Sequence, residues 1–283
     1  MDATSVTRAL GEALGVGVDA ERLEALVAAY GDRHAEWSVN ESGDGRGRLR
    51  VAFGTEDFAA AARAVARFLP EPWDRLDAHL PREGMAGLGL AFGAGPVRLR
   101  LYRAAPASGG ARLAAAAIGR FPGLAPTVGT FAAACGGYAN LTGLGLDFAG
   151  GALARVTVYF RLGDPACLRD LFAALALPDH PRSARFLGHV LGLAPARPRP
   201  WPKVWVGASL GTNGGVKLYA FLRGDPHRLP DGPLLDGIDA PPPLRRARDR
   251  FAEAVGADPV VQVLGHRLDA PEPPSLTVYL APR

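Results

Sequence analysis

Five short segments of the chain share one alternating pattern of polar and apolar residues. Strict alternation over five or six residues is typical of a β-strand with one polar and one apolar face. The fifth residues of these segments recur at intervals of 50 to 60 residues. The pattern therefore predicts five similar strands, at 48–53, 98–102, 155–160, 215–220 and 275–280.

Each of these strands follows another apolar segment of similar length, and residues rich in glycine or proline connect the two. Such connections are typical of β-hairpins. The upstream segments are predicted to be strands as well, at 35–40, 87–92, 143–148, 203–209 and 260–264. The chain therefore contains ten predicted strands in five hairpins.

Between the hairpins, apolar residues recur at three- and four-residue spacing, which predicts helices. These helices are expected at 20–29, 56–69, 165–177, 182–193 and 244–255, with Thr55 and Asp164 as N-caps. The repeating unit is helix, strand, strand, helix. Because a closed sheet has no unpaired edge, we expect an α+β fold in which a ten-stranded antiparallel β-barrel lies inside a ring of helices. Residues 1–283 are expected to form one domain.

The alternation also predicts an unusual barrel interior. Leucine, valine and phenylalanine would point outward against the helices, and the arginine, lysine, threonine and tyrosine series would point into the barrel. Four of the chain's six tyrosines occupy the same place in the pattern, at Tyr102, Tyr159, Tyr219 and Tyr279, and Ala52 is their counterpart in the first repeat. We therefore expect a polar lumen with a belt of tyrosines.

Composition restricts the class of protein further. The chain is 48% hydrophobic and 21% charged and has two cysteines, which excludes a disordered chain and a disulfide scaffold. Its longest charge-free run, 121–146, contains proline and several glycines, so no membrane span is expected. The N-terminal residues do not resemble a signal peptide, and we expect a cytoplasmic protein. The net charge of +4 is compatible with an anionic ligand of several kinds.

A cluster of cations beneath a belt of tyrosines suits an allylic diphosphate. Arginine and lysine stabilise the pyrophosphate that forms when such a molecule ionises, and aromatic faces attract the resulting carbocation and exclude water. The sequence has no aspartate-rich metal motif, no phosphate-binding glycine loop and no dinucleotide-binding motif in the right context. We therefore expect no protein-held metal and no organic cofactor, and any Mg²⁺ would arrive with the diphosphate. Neither nucleic acid nor a membrane is an expected partner.

Nearly the whole chain resembles the aromatic prenyltransferases of the ABBA or PT-barrel fold, which consist of five αββα repeats. The resemblance rests on Gly143-Leu-Gly-Leu-Asp-Phe148 followed by Thr157-Val-Tyr159, and on Trp205-Val-Gly-Ala-Ser209 followed by Lys217-Leu-Tyr219. The Trp205 hairpin and the compact length look most like the cyanobactin-type peptide prenyltransferases of the TruF, LynF and PatF group. The resemblance implies a transferase that moves a dimethylallyl or geranyl group from its diphosphate to a side chain of a ribosomal, often cyclic, peptide.

The resemblance also implies roles for individual residues. Glu36 on the first strand would be the base that accepts the acceptor's proton. The other roles are a diphosphate site at Arg48, Arg50, Arg98, Arg100, Thr157, Lys203, Lys217 and Thr277, a carbocation shield at Tyr102, Tyr159, Tyr219, Tyr279 and Trp205, and an acceptor side at Ala52 and His266. The threonines and Ala52 depart from the family's pattern of cations and aromatics. At Ala52 the opening would admit a longer prenyl chain or a bulky acceptor, or be empty.

Two other functions remain open at this point. The first keeps the fold but prenylates a small aromatic metabolite, and the second is a non-catalytic barrel that binds an anionic ligand. The sequence ends directly after the last predicted strand, so we expect an open barrel mouth, which favours a peptide acceptor. An outer-membrane barrel is disfavoured by the helices between the hairpins. The sequence does not determine the length of the donor chain, the acceptor, the prenylated atom, forward or reverse transfer, Mg²⁺ dependence or the oligomeric state.

Overall fold

A computed structural model describes residues 2–30, 35–41, 47–55, 86–106, 108–178, 180–193, 201–211, 214–225, 229–269 and 275–282. Ten antiparallel strands follow one another around a closed barrel in chain order, and the first strand pairs with the last. This confirms the predicted barrel and all five hairpins. The strands are β1 Ala35–Glu41, β2 Gly47–Thr55, β3 Ala86–Phe92, β4 Arg98–Ala104, β5 Leu141–Ala149, β6 Ala152–Leu162, β7 Lys203–Gly211, β8 Gly215–Phe221, β9 Pro259–Arg267 and β10 Leu276–Pro282.

The outer face of the barrel carries the apolar core. Trp37 on β1 is completely buried; its ring packs edge-on against Phe251, with 5.3 Å between ring centroids, and its indole N–H donates to Thr7 at 2.9 Å. Leu49 and Val51 of β2 lie on the same outer face and are also fully buried. Burial of this apolar surface under the helices is what stabilises the barrel from outside. The predicted inversion, with apolar residues outward, is therefore correct.

Within the described residues, eight α-helices surround the barrel. They are α1 Ala3–Leu14, α2 Ala20–Tyr30, α3 Gly110–Arg120, α4 Ala125–Ala134, α5 Pro165–Leu175, α6 Pro181–Val190, α7 Asp231–Gly237 and α8 Pro242–Val255. Helices α2, α5, α6 and α8 confirm four of the predictions. The carboxylate of Asp164 accepts hydrogen bonds from the backbone N–H groups of Ala166 and Cys167, at 2.7 and 3.0 Å, and so caps α5 as predicted. The predicted helix 56–69 and the side chain of its cap Thr55 lie outside the described residues.

The pattern analysis missed α1, α3, α4 and α7. Helix α4 is apolar on most of its faces, so no helical period stands out there. Helix α3 has an apolar face at Leu113, Ala114 and Ala117, but two of these residues are small alanines. Pro126 falls within the first turn of α4, where a missing N–H costs nothing. In the part of the chain that the structure describes, none of these helices combines the length and the apolar character that a membrane crossing needs.

Candidate active site

The five repeats place equivalent side chains at equivalent depths in the lumen. The third residue of the shared alternating pattern, which begins at 48, 98, 155, 215 and 275, forms a ring on the side of the hairpin turns. We call this ring the cation layer: Arg50, Arg100, Thr157, Lys217 and Thr277. The fifth residue lies two positions, or roughly 7 Å, farther from the turns. These residues form the tyrosine belt: Tyr102, Tyr159, Tyr219 and Tyr279, with Ala52 as the fifth position. On the first strand of each hairpin, the residues that pair in register with the cation layer are, in the same order, Ser38, Gly89, Gly145, Gly207 and Gly265.

A cavity of about 630 Å³ opens beside the turn between β3 and β4. This volume falls in the range of small-molecule sites. Five of the predicted diphosphate-binding cations line the cavity: Arg48, Arg50, Arg98, Arg100 and Lys217. Thr277 lines the cavity as well, and so do Arg155 and Arg267, which the sequence analysis did not assign to it. The cavity is therefore strongly cationic.

Arg100 is the most firmly held of these cations. Its guanidinium forms an ion pair with Asp147 and donates to Thr157 Oγ1 at 3.1 Å and to the Tyr102 hydroxyl at 3.3 Å. Arg155 also binds Asp147, through its Nε at 2.6 Å. Burial by itself raises the pKa of Asp147, but Arg100 and Arg155 outweigh burial and leave that pKa below its usual value. Asp147 is therefore a buried carboxylate that fixes two arginines in the wall of the cavity.

The two predicted threonines act on neighbouring cations. Thr157 is buried, accepts from Arg100 and shares a hydrogen bond of 2.8 Å with Ser209. Thr277 accepts a hydrogen bond from Nζ of Lys217. Each threonine therefore orients a cation of the cation layer, as a hydroxyl does when it supplies an acceptor to a buried donor.

Lys217 reaches Thr277 by crossing β9 at Gly265. A Cβ atom at that glycine would lie 2.6 Å from Lys217 Cε, which is too close for any larger residue without a shift of the lysine. Burial lowers the pKa of Lys217 well below its usual value, and the nearby positive charges of Arg50 and Arg100 lower it further. An anion bound in the cavity would therefore favour the protonated form of Lys217.

The four tyrosines of the belt contact one another in sequence. Ring centroids are 6.5 Å apart between Tyr102 and Tyr159, 5.7 Å between Tyr159 and Tyr219, and 6.3 Å between Tyr219 and Tyr279. Burial raises the pKa of Tyr159, Tyr219 and Tyr279, so these phenols stay neutral. The belt is a continuous aromatic surface over four of the five repeats.

Glu36 faces the lumen next to the missing fifth tyrosine. On β1 it pairs in register with Ala52 on β2. Burial raises the pKa of Glu36, and the positive charge of Arg50 opposes part of this rise. A carboxylate with a raised pKa is better suited than an exposed one to accept a proton near neutral pH. Both Glu36 and Ala52 therefore lie in the lumen, where the sequence analysis expected them.

Lys203 does not lie with the other predicted diphosphate-binding residues. It pairs with Phe221 at the opposite end of the barrel, four residues along β7 from Gly207, the partner of Lys217. The residue is exposed, and its ammonium lies 4.9 Å from the ring centroid of Trp205 and 4.6 Å from that of Phe221. The assignment of Lys203 to the diphosphate site is thus wrong, because the strand carries it roughly 13 Å away from the cation layer.

Trp205 lies beyond the belt, on the lumen side of β7. It pairs with Tyr219, and its ring packs edge-on against Phe221 at 4.6 Å. Its indole N–H is buried without a hydrogen-bond partner. Trp205 therefore extends the aromatic wall towards the end of the barrel away from the cation layer.

His266 lies outside the lumen, which removes it from the acceptor side. Alternation on β9 turns Gly265 and Arg267 inward and His266 outward. Its Nε2 shares a hydrogen bond of 2.8 Å with Ser183 of α6, and its ring stacks on Phe186 at 4.9 Å. Burial lowers its pKa to about 3, with a smaller contribution from Lys217. The histidine is therefore a neutral part of the packing between barrel and helix.

This buried histidine predicts a pH dependence of stability. Its pKa in the folded protein, about 3, is below the unfolded value of 6.5, so the unfolded chain binds the proton first as the pH falls. Below about pH 6.5, His266 should therefore remove stability at a slope approaching about 1.4 kcal/mol per pH unit. Urea unfolding between pH 5 and 7 measures the slope. His266→Gln is expected to flatten it, and an unchanged slope in that variant would contradict the assignment.

The sequence analysis gave no role to three charged residues that line the cavity, Asp147, Arg155 and Arg267. Arg155 shares the alternation that places Thr157 and Tyr159 inward, and this signal identifies it. Asp147 follows Gly143 and Gly145 on the inward face of β5 in the same way. Arg267 lies beyond the predicted end of β9, so its strand position was not visible. Its guanidinium binds Asp269 at 3.0 Å and the carbonyl oxygen of Gly214 at 2.6 Å.

The described residues do not provide a set of ligands for a metal ion. These residues contain no group of three or more histidine, cysteine, aspartate or glutamate side chains that could hold an ion. The acidic residue in the described cavity wall is Asp147, and two arginines engage it.

Comparison with solved structures identifies the fold. No protein-family model and no curated protein matches the sequence. The chain is similar to 6-dimethylallyltryptophan synthase from Micromonospora olivasterospora in complex with DMASPP and Trp, with a TM-score of 0.72 and 17% identity over 98% of this chain and 95% of that chain. It is also similar to 5-dimethylallyltryptophan synthase from Streptomyces coelicolor, with a TM-score of 0.66 and 18% identity over 98% and 95% of the two chains.

A third solved structure extends the comparison. It is prenyltransferase PriB in a ternary complex with L-tryptophan and dimethylallyl thiolodiphosphate, with a TM-score of 0.64 and 19% identity over 99% of this chain and 94% of that chain. The three similarities cover almost the full length of every chain. They establish that this chain has the ABBA or PT-barrel fold.

Proposed function

We propose that this protein is a prenyltransferase that moves a dimethylallyl group from its diphosphate to the ring of a small aromatic acceptor of the indole class. The observation that carries the proposal is the arrangement of the lumen, in which the cation layer lies on the side of the hairpin turns and the tyrosine belt lies directly beyond it. Few ligands other than an allylic diphosphate need both surfaces within roughly 7 Å of each other.

The reaction requires three events that this lumen can support. The C–O bond of the donor breaks, and its electron pair leaves with the diphosphate, which Arg50, Arg100 and Lys217 stabilise. The allylic cation forms against the faces of Tyr102, Tyr159, Tyr219 and Tyr279. A ring carbon of the acceptor bonds to the cation, and Glu36 accepts the proton that this carbon releases.

The solved structures favour a small acceptor over a peptide. The sequence analysis expected a ribosomal peptide and the cyanobactin-type group, but the structures reported above are tryptophan prenyltransferases and PriB, two of them in complex with tryptophan. The two complexes with tryptophan also contain DMASPP or dimethylallyl thiolodiphosphate, which supports a dimethylallyl donor over a geranyl donor. We therefore propose tryptophan or a simple indole as the acceptor. The cytoplasmic location stays a prediction.

We further propose that Mg²⁺, where it takes part, is carried by the diphosphate oxygens. Asp147 is the acidic residue in the described cavity wall, and both of its carboxylate oxygens already bind Arg100 and Arg155. It is therefore a poor ligand for a metal ion. Seven arginine and lysine side chains line the described cavity, and five of them are not paired with Asp147, so they can offset the charge of the diphosphate without a metal ion. Turnover in the presence of a chelator is expected to persist, although at a changed rate.

Mass spectrometry tests the proposed function. The protein is incubated with dimethylallyl diphosphate and tryptophan, indole, simple phenols, or linear and cyclic peptides that contain tryptophan or tyrosine. A tryptophan or indole product heavier by one isoprene unit is the expected result. If only the peptides were prenylated, the acceptor would be a peptide and not a small indole. Tight donor binding without pyrophosphate release from any acceptor would instead favour a barrel that binds an anionic ligand without catalysis.

A further inference from the structure

Asp147 brings a negative charge into a wall of arginine and lysine side chains. Seven of these cations line the described cavity, and Asp147 is the acidic residue in the same described wall. It pairs in register with Arg100 on one neighbouring strand, β4, and with Arg155 on the other, β6. One carboxylate oxygen binds Arg100 and the other binds Arg155. The register of the strands therefore builds a row of arginine, aspartate and arginine into the lumen.

The three side chains of this row are largely withdrawn from water. The side chains of Arg100 and Asp147 are 4% and 3% exposed, and that of Arg155 is 19% exposed. Charges in such a place are weakly screened, so the carboxylate acts on the cavity more strongly than an exposed one would. The row as a whole carries one net positive charge, whereas the two arginines by themselves would carry two.

The orientation of Arg100 does not depend on a carboxylate alone. Its two terminal nitrogens donate to the hydroxyls of Thr157 at 3.1 Å and Tyr102 at 3.3 Å. Arg50 also donates to the Tyr102 hydroxyl, at 2.9 Å. Uncharged hydroxyls therefore orient cations in this lumen. What Asp147 adds to them is its negative charge.

The charge of the cavity wall matters for the release of pyrophosphate. When the C–O bond of the donor breaks, the ester oxygen keeps the electron pair. Before it takes up any proton, free pyrophosphate therefore carries one negative charge more than the diphosphate of the donor. The cations that stabilise this leaving group also attract the product more strongly than the donor. Product release limits the turnover of many enzymes, so a wall that is too cationic would slow the next cycle.

We infer that Asp147 limits the affinity of the lumen for pyrophosphate and thereby sets how fast this product leaves. This inference rests on the proposed function. Asp147 acts through Arg100 and Arg155, whose positive charge it partly offsets. It is thus a positioning and charge-balancing residue, and its effect on binding should have the opposite sign to that of the arginines.

Asp147→Asn tests the inference, because asparagine keeps the shape of the side chain without its charge. The binding of inorganic pyrophosphate is expected to tighten by roughly 10- to 100-fold, the effect of one unit charge at close range in a weakly screened site. Steady-state kcat should fall because release slows. Transfer in a single turnover precedes release and should be retained. Calorimetry with pyrophosphate and rapid-quench kinetics with dimethylallyl diphosphate and tryptophan measure these quantities.

Asp269→Asn is the matched control. Asp269 forms an ion pair of 3.0 Å with Arg267, another arginine of the cavity wall, but its side chain is 28% exposed. Since water screens its charge, the same substitution is expected to change the affinity for pyrophosphate by at most about five-fold. Equal tightening in the two variants would overturn the inference, because the buried row around Asp147 would then have no special effect.

A double variant separates charge from geometry. Asp147→Asn combined with Arg155→Gln removes one negative and one positive charge, so the net charge of the row stays that of the wild type. Its affinity for pyrophosphate is expected to return to within a few fold of the wild-type value. A double variant that binds as tightly as Asp147→Asn would overturn the inference. Weaker binding by Asp147→Asn would also overturn it and would leave Asp147 as a residue that only holds the two arginines in place.

A comparison in a second background keeps the test valid if Asp147→Asn does not fold, since buried arginines without their carboxylate are destabilising. The comparison is then between Arg155→Gln and the double variant. Loss of the carboxylate should again tighten pyrophosphate binding, and equal or weaker binding by the double variant would contradict the inference. A wild-type protein that binds no pyrophosphate would instead refute the proposed function, and the inference with it.

Discussion

Glu36→Gln is expected to lower prenyl transfer by about 10²- to 10⁴-fold, the usual contribution of a positioned general base. Glutamine has nearly the same shape as glutamate but does not take up the proton that the acceptor ring releases. Donor binding should be unaffected, because Glu36 lies beyond the cation layer and faces Ala52. Single-turnover product formation measures the transfer, and calorimetry with dimethylallyl thiolodiphosphate measures the binding.

Glu41→Gln is the matched control for this experiment. Glu41 belongs to the same strand, but alternation places it on the opposite face from Glu36, Ser38 and Asn40. The control is expected to transfer at the wild-type rate. Wild-type-like turnover in Glu36→Gln itself would remove Glu36 from the mechanism and leave the cation layer and belt as the sources of rate enhancement.

The raised pKa of Glu36 also gives the reaction a pH dependence with a defined sign. The base must be deprotonated to act, so transfer should fall as the pH drops through its pKa. Burial raises that pKa above the ordinary value of about 4.3 for glutamate, and Arg50 limits the rise. The acidic limb of the pH profile of kcat/KM should therefore lie at a higher pH than an exposed glutamate would give. Glu36→Gln should remove this limb.

The architecture was predictable because the sequence has two periods that agree: a two-residue alternation within each strand, and a recurrence of that alternation every 50 to 60 residues. Alternation identified the strands, and its five-fold recurrence identified the barrel, since every repeat needs the same two environments for its two faces. Helix α4 was missed because it has little apolar contrast between its faces, so no period is visible there. Helix α3 does have an apolar face, but alanines make up much of it, and the search for larger apolar residues passed over them.

The candidate site was predictable to the extent that alternation determines which face a residue takes. It placed Arg50, Arg100, Tyr102 and Glu36 correctly, because face and repeat position together specify depth in the lumen. Alternation alone does not show how far along the barrel a residue lies, and an aligned position in another repeat is needed to fix that depth. Lys203 belongs to a first hairpin strand, and its equivalents in the other repeats were not aligned, so its distance from the cation layer was not evident.

Contacts between repeats were beyond sequence reasoning altogether. The role of Asp147 follows only from the structure, which shows that its carboxylate binds both Arg100 and Arg155. His266 was turned outward by the same alternation that governs its strand, but its strand was read only as far as residue 264. The stacking on Phe186 and the hydrogen bond to Ser183 come from a helix more than 70 residues earlier in the chain. Nothing local in the sequence signals these partners.

Lys217→Met is expected to weaken donor binding by roughly 10- to 100-fold, the size of a lost hydrogen bond to a charged group. Methionine keeps the length of the side chain over Gly265 without its amine. The free energy of unfolding should stay the same or increase, because burial and the positive charges of Arg50 and Arg100 already disfavour the protonated amine. Calorimetry with dimethylallyl thiolodiphosphate and urea unfolding measure the two quantities. Binding and stability should therefore change in opposite directions, or binding alone should change.

Proton uptake gives this variant a second and more specific readout. The diphosphate brings negative charge next to an amine whose pKa is depressed, so binding should raise that pKa and draw up to one proton from solution. Calorimetry with inorganic pyrophosphate in buffers of different ionisation enthalpy measures the uptake, which should disappear in Lys217→Met. Lys203→Met is the matched control, since it removes the other lysine of the chain at the far end of the barrel and should preserve both affinity and uptake. Equal affinity in wild type and Lys217→Met would show that the diphosphate is held by the arginines alone. Unchanged proton uptake in that variant would show that a group other than Lys217 takes up the proton.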